Sequence, residues 1–358
     1  MRLTQSTRRP LLLAAAVVGT AALCCATPAL ALKYAPVAQH MTADPSLPGW
    51  HPGKLDIKPE QEFHLVGADV MDEITLGWAQ MFRKAYPHLS VTMEARSSGS
   101  GAPALVDGQA DAAPVGRELL PAEAAAFVKK FGYAPLAIKV ATGSVGTLGK
   151  TASTVVLVSK ANPIRGLTMA ELDSIYSTTD KRGHADVKTW GDLGLKGEWA
   201  DRPIHLYGLK SPNGIEQYFK QVVMEGGAYK TAIQFVHGEG FTHAFTVAAH
   251  DIEQNQPGGL TYAMLCNLTP GTKAVPLAEK AGGPYLMPTL HNIYTHAYPL
   301  SRYVYIFVNR KPGQALDPVV KQFLTTVLSR QGQEVVAKEG VYIPLTPEVA
   351  REELEKLN

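Results

Sequence analysis

From residue 62 onward, short apolar runs and amphipathic stretches alternate, separated by Gly, Ser, Asp and Asn. Phe63-His64-Leu65-Val66 reads as a strand and Gly67-Ala68-Asp69-Val70 as a tight loop. Ile74, Trp78, Met81 and Phe82 then fall at i, i+4, i+7 and i+8, the spacing of one helical face. Asp69 and Asp72 stand at the start of that helix, where side-chain oxygens satisfy free amides. Residues 89–95 form a second strand running into Ser97-Ser98-Gly99-Ser100-Gly101 and a helix with Pro103 in its first turn, where proline is tolerated. The middle repeats this grammar. Residues 154–159 are a β-branched strand, Thr168-Met169-Ala170-Glu171 is a capping box, and residues 203–208 are a strand. Ser211-Pro212-Asn213-Gly214 then opens a helix with Ile215, Phe219 and Val222 inward. Near the end, residues 304–309 are a buried strand, and Asp317-Pro318 caps a helix whose apolar positions are Val320, Phe323, Leu324, Val327 and Leu328. Thr346-Pro347 starts a last, charged helix. Strands alternating with helices predict an α/β protein with mainly parallel sheets.

The start of the chain follows neither pattern. Residues 32–61 hold Pro36, Pro45, Pro48, Pro52 and Pro59 without a clear period, and read as an irregular arm or linker. Residues 1–31 carry Arg2, Arg8 and Arg9, then an apolar run over 11–25, then Ala29-Leu30-Ala31. A basic start, a short apolar core and small residues before the cut describe a cleavable export signal. The run is too short for a stable membrane anchor. Thr7-Arg8-Arg9-Pro10-Leu11-Leu12 approaches a twin-arginine signal, so both export routes stay open.

Removing that signal changes the composition. Of 34 Lys+Arg and 32 Asp+Glu, the signal holds three basic residues and no acidic one, leaving 31 against 32. Near-neutral charge without a basic block speaks against nucleic acid or an anionic membrane as partner. Of the three cysteines only Cys266 remains, which reads as a small buried apolar residue. The remaining residues, about 327, exceed what one core usually serves, so two lobes are expected.

Three loops share one design, a strand followed by small or polar residues and a helix amino terminus: Gly67 to Val70, Ser97 to Gly101, and Ser211 to Ile215. Such termini gather unpaired amides and a positive dipole end, which suits an anion, although the same residues also simply cap helices. Ser144-Val145-Gly146-Thr147-Leu148-Gly149-Lys150-Thr151 nearly spells a nucleotide-binding loop, but serine replaces its first glycine and a strand follows where a helix is required. His237, His243, His250, His291 and His296 form no ligand spacing, so no metal and no cofactor are expected. No nucleophile elbow is present and neither Ser98 nor Ser100 has an identifiable base, so no catalytic residue is assigned.

In this order the motifs resemble the PstS-like phosphate-binding proteins of bacterial ABC importers. Gly67-Ala68-Asp69-Val70-Met71 is similar to the family's first phosphate loop. Ser97-Ser98-Gly99-Ser100-Gly101, with Leu105-Val106-Asp107-Gly108 and Ala110-Asp111, is similar to its second. Asn162-Pro163-Ile164-Arg165-Gly166-Leu167-Thr168 and Trp190-Gly191-Asp192-Leu193 resemble its second lobe. Tyr298-Pro299-Leu300-Ser301-Arg302, Leu328-Ser329-Arg330-Gln331-Gly332-Gln333 and Tyr342-Ile343-Pro344-Leu345 resemble its carboxyl-terminal signature. The resemblance implies a type II periplasmic-binding-protein fold of two hinged lobes: residues 62–144 with 284–358 as lobe 1, and 145–283 as lobe 2. Against the family, residues 143–153 look like a glycine-rich insertion near the crossover, edging the cleft.

The binding positions depart from the family's pattern. Ser98 and Gly214 fit. Asp69 stands where threonine is usual, though a branch carries aspartate, and Val70 replaces a hydroxyl-bearing residue. Gly116 takes the place of Ser or Asp, Leu209 that of the third-loop arginine, and Asn213 and Ile215 those of Ser and Thr. The lost arginine matters most, because its fork matches phosphate oxygens. Lys210 is adjacent but points elsewhere along a strand. Arg117 either enters the cleft or lies in solvent. Asp69 either accepts the proton of a protonated oxyanion or caps the helix. The expected ligand-binding set is Ala68, Asp69, Val70, Ser98, Gly99, Arg117, Asn213 and Gly214, with a phosphate-like anion as ligand, an ABC permease as partner and a monomeric state. A binding paralogue outside transport and a hydrolase on the same fold are the competing expectations.

Overall fold

The computed structural model describes residues 41–209, 213–236 and 241–358, and only the backbone of Phe241 and Thr242. The expected export segment, the first residues of the expected arm, Lys210, Ser211, Pro212 and His237 lie outside the described residues. The first lobe begins with β1 (Glu62–Gly67), α1 (Asp72–Ala85), β2 (Ser90–Ala95), α2 (Ser98–Asp107), β3 (Ala112–Val115), α3 (Pro121–Phe131) and β4 (Leu136–Thr142). The chain then crosses over. The second lobe holds β5 (Val155–Ser159), β6 (Leu167–Thr168), α4 (Met169–Tyr176), β7 (His205–Leu209), α5 (Gly214–Met224), β8 (Gln234–Val236) and α6 (Phe241–Gln254). It continues with β9 (Gly259–Ala263), β10 (Thr272–Ala274) and β11 (Leu277–Ala278), and the short α7 (Leu290–Tyr294) follows as the chain turns back. After a return crossing, β12 (Tyr303–Val308), α8 (Pro318–Leu328), α9 (Arg330–Glu339) and α10 (Pro347–Glu355) complete the first lobe.

Each lobe is built on a five-stranded sheet, in the order β2-β1-β3-β12-β4 and β10-β5-β9-β7-β8. In the first, β12 runs antiparallel to both neighbours, and in the second β5 does the same. The remaining strands of each sheet share one direction, so both sheets are mainly parallel with one reversed strand. In each lobe the reversed strand is the one entered directly from a crossing. The two crossings lie side by side: the Gly143 amide donates to the Arg302 carbonyl at 2.8 Å and the Thr154 amide to the Leu300 carbonyl at 3.1 Å.

The spacing that predicts α1 buries Ile74, Trp78 and Phe82 completely, with Met81 half-buried beside them. The Trp78 indole donates to the Gly332 carbonyl at 2.8 Å, joining α1 to α9. The rings of Phe63, Phe82 and Phe323 meet at 5.0–6.0 Å, binding β1, α1 and α8 into one core. In the second lobe Phe219 stacks on Tyr262 at 4.2 Å, with Tyr176 edge-on to Phe219. Local capping follows the sequence: Thr168 and Glu171 form the reciprocal box, and Asp317 accepts from the amides of Val319 and Val320. Pro103 is a correction. Extended Ser97 delivers the chain into a helix that starts at Ser98, so Pro103 lies in the second turn. There its missing amide leaves the carbonyl of exposed Gly99 to solvent. Residues 41–61 contain no helix or strand, yet Leu47 and Trp50 are buried against the first lobe and Trp50 exchanges two hydrogen bonds with Gln331.

Candidate functional site

A cleft of about 520 Å³ opens where the carboxyl ends of β1, β3 and β7 meet the amino termini of α2 and α5. Asp69, Val70, Ser98, Gly99, Arg117, Asn213 and Gly214 all line it, and of the expected set only Ala68 does not. Ala68 is buried beneath the first loop, its amide donating to the Pro114 carbonyl at 2.8 Å. The lobes touch at this cleft: a Cβ built on Gly214 would stand 2.6 Å from the Arg117 Cδ.

The three loops are not equivalent. In the first, the Val70 amide is taken by Asp69 Oδ1 at 2.9 Å, so the carboxylate satisfies its neighbour within a single 3-10 turn. The N-cap of α1 is instead Met71, which makes no side-chain cap, and Asp72 accepts from the Glu73 amide at 2.8 Å. The second loop is more open. The amides of Ser98 and Gly99 begin α2 and meet no acceptor among the described residues. Ser98 Oγ accepts from the Gly116 amide at 3.2 Å, which leaves its proton available to a ligand. In the third, Asn213 caps α5 by accepting from the Ile215 amide at 2.9 Å, and the Gly214 amide has no acceptor among the described residues. The amides of Ser98, Gly99 and Gly214 thus stand at the positive ends of two helices around one cleft.

The charged residues divide as well. Arg117 enters the cleft rather than solvent, but Glu123 holds it by two bonds of 2.7 Å, with both side chains under 15% exposed. Lys150 lines the cleft 3.5 Å from Asp72 and 3.6 Å from Glu73. Arg302, 4% exposed, also lines it, pairing with Glu118 at 3.2 Å and lying over the Tyr218 ring at 4.4 Å. The expected set omits Lys150, Thr151 and Arg302, and includes Arg117. Lys150 and Thr151 stand in the stretch 143–153 that the resemblance sets apart as an insertion, and Arg302 in the segment it marks as a carboxyl-terminal signature. Cys266 is half-buried against the second-lobe core, and burial raises its thiol pKa to about 11.

Gly116 has a structural reason. A Cβ there would lie 2.6 Å from Val70 Cγ2 and 2.8 Å from Thr151 Oγ1. The Thr151 hydroxyl instead donates to the Gly116 carbonyl at 2.5 Å, and its amide donates to the Tyr342 hydroxyl, which bonds the Val70 carbonyl. Thr151 and Val70 occupy the space a side chain at 116 would need. Gly116→Ser is therefore expected to destabilise by about 1–3 kcal/mol through overpacking, and adding Thr151→Gly to recover most of that loss, both measured by urea denaturation.

These features belong to a known class: the chain belongs to the PBP superfamily, whose domain model matches residues 49–331. Among curated relatives, the phosphate-binding protein PstS of Pseudomonas aeruginosa is 36% identical over 293 residues, covering 82% of this chain and 85% of that protein. Two crystal structures share the fold. An ABC-type phosphate transport receptor from Vibrio cholerae superposes with a TM-score of 0.51 at 20% identity, covering 78% of this chain and 99% of that one. PstS from Borrelia burgdorferi gives 0.51 at 17% identity, covering 80% and 100%.

Proposed function

We propose that this protein is an export-targeted, monomeric receptor of the periplasm that binds phosphate or a related small oxyanion between its lobes and delivers it to an ABC permease. Lobe 1 comprises residues 62–144 with 284–358, lobe 2 residues 145–283, and ligand closes one on the other by bending the paired crossings. The reading rests above all on one observation: helix-terminal amides from both lobes, at Ser98, Gly99 and Gly214, meet no acceptor among the described residues and surround a single cleft. The name carried by the P. aeruginosa relative supports phosphate as the ligand. In this reading Asp69 meets the protonated oxygen of the anion, Ser98 donates its hydroxyl, and no catalytic step is involved.

Phosphate at 100 times its dissociation constant is expected to stabilise a ligand-free preparation by about 2.7 kcal/mol, seen as a shift in thermal unfolding. No shift with phosphate, arsenate or sulfate would remove the receptor reading. One observation favours a second reading, a paralogue with a changed ligand outside transport: Val70, Gly116 and Ile215 line the cleft without offering a side-chain donor. A larger organic anion that shifts the melt where phosphate does not would select it.

A further inference from the structure

We propose that Arg302, on the return crossing, supplies the guanidinium that grips the anion, a role that rests on the oxyanion reading of the cleft. The third loop presents no arginine at Leu209. Of the three cations that line the cleft among the described residues, Arg117 is already held by a carboxylate, its two terminal nitrogens on Glu123 and Nη1 also on the Glu118 carbonyl. Lys150 sits between two carboxylates.

Arg302 differs from both. It is almost wholly buried, and among the described residues its one hydrogen bond to a side chain is the 3.2 Å contact with Glu118 and its Nε is buried without an acceptor. A guanidinium needs acceptors for five N–H groups, and a buried donor left unpaired is costly. An oxyanion in the cleft can supply oxygens to the terminal N–H groups that Glu118 leaves unfilled, in the geometry that a guanidinium matches. The site is also pre-formed. Tyr218 lies under the guanidinium, and Tyr218 belongs to α5, whose amino terminus carries Gly214. The Tyr218 hydroxyl donates to the Ser301 carbonyl at 2.7 Å, so helix and crossing are fixed to each other beside the arginine. Glu118, on the first lobe, is the competing anion: it is 42% exposed and its other oxygen accepts from Tyr305 at 3.2 Å. Ligand oxygens and Glu118 thus share one cation.

The assignment makes opposite demands on two variants, read by calorimetric titration of inorganic phosphate. Arg302→Lys keeps a charge but loses the fork, and affinity is expected to fall at least tenfold. Glu118→Gln removes the competitor while keeping an oxygen for Tyr305, and affinity is expected to rise severalfold. A merely structural Arg302–Glu118 pair would move the melting temperature in both and raise affinity in neither. Wild-type affinity in both variants overturns the proposal while leaving the receptor reading intact. Should Arg302→Lys fail to fold, unchanged or weaker binding by Glu118→Gln overturns it alone. A wild-type protein that ignores phosphate and related oxyanions removes the receptor reading, and the role of Arg302 with it.

Discussion

Trp78→Ala is expected to destabilise the protein by about 3–5 kcal/mol, measured by urea unfolding followed by circular dichroism. The indole is completely buried in the first-lobe core, and its loss opens a cavity that rigid neighbours fill only in part. Removal of the ring nitrogen also leaves the Gly332 carbonyl without its 2.8 Å donor. Gly332 begins the turn in which the Ser329 hydroxyl caps α9, so the damage reaches the helix packed on α1. Trp78→Phe separates the two contributions, since it keeps most of the buried area and loses only the hydrogen bond, with a cost of about 1–3 kcal/mol. A loss below about 1 kcal/mol for Trp78→Ala would mean that this residue does not hold the first lobe together.

Acid is expected to weaken the protein well above the carboxylate range, through His296. Its imidazole stacks on Tyr303 at 3.6 Å and shares a 3.0 Å hydrogen bond with Thr142, joining the outgoing end of β4 to the return crossing. Burial, with a smaller contribution from Lys139, lowers its pKa from 6.5 to about 4. Between those values the unfolded chain binds a proton that the folded protein refuses. The stability contributed by neutral His296 is therefore complete above pH 6.5 and lost as pH falls to about 4. The whole loss is at most about 3 kcal/mol, reduced by whatever solvent reaches the ring. Asp186, Asp192 and Asp251 do not explain a loss in that window, because hydrogen bonds hold their pKa values below 3.8. His296→Asn, which tolerates the left-handed backbone at φ 52°, should flatten the stability profile between pH 6.5 and 4. An unchanged acid limb in that variant would acquit His296.

Features of the molecule governed by neighbouring residues were legible in the sequence. The periodicity of α1, the Thr168–Glu171 box, the Asp317 cap and the loops before α2 and α5 each depend on residues within a turn or two of one another. Pro103 was misplaced because helical geometry began earlier than the serine- and glycine-rich spacing suggests. α6 and β9 were overlooked for a related reason. β9 is buried on both faces and so shows no alternation, and α6 relies on small residues such as Ala244, Ala248 and Ala249 to pack closely. In the cleft, the helix termini and Arg117 were readable, and Arg302 was not. Thr151 and Arg302 reach it only because two crossings far apart in sequence lie against each other, a tertiary fact without local signature. The same holds for Gly116, whose lack of a side chain reads as a loss until Thr151 is seen in that space.

The position of β12 has a consequence for how the molecule is made. It is inserted between β3 and β4, so the sheet that begins first along the chain is the last to be finished. Until residue 303 and beyond become available, β3 and β4 each carry an open edge with no partner between them. The intervening lobe, by contrast, draws its strands β5 to β10 from one continuous stretch and can assemble before its neighbour. A chain of this design keeps its first sheet incomplete, and its strand edges open to chaperones, until the segment that carries β12 has emerged.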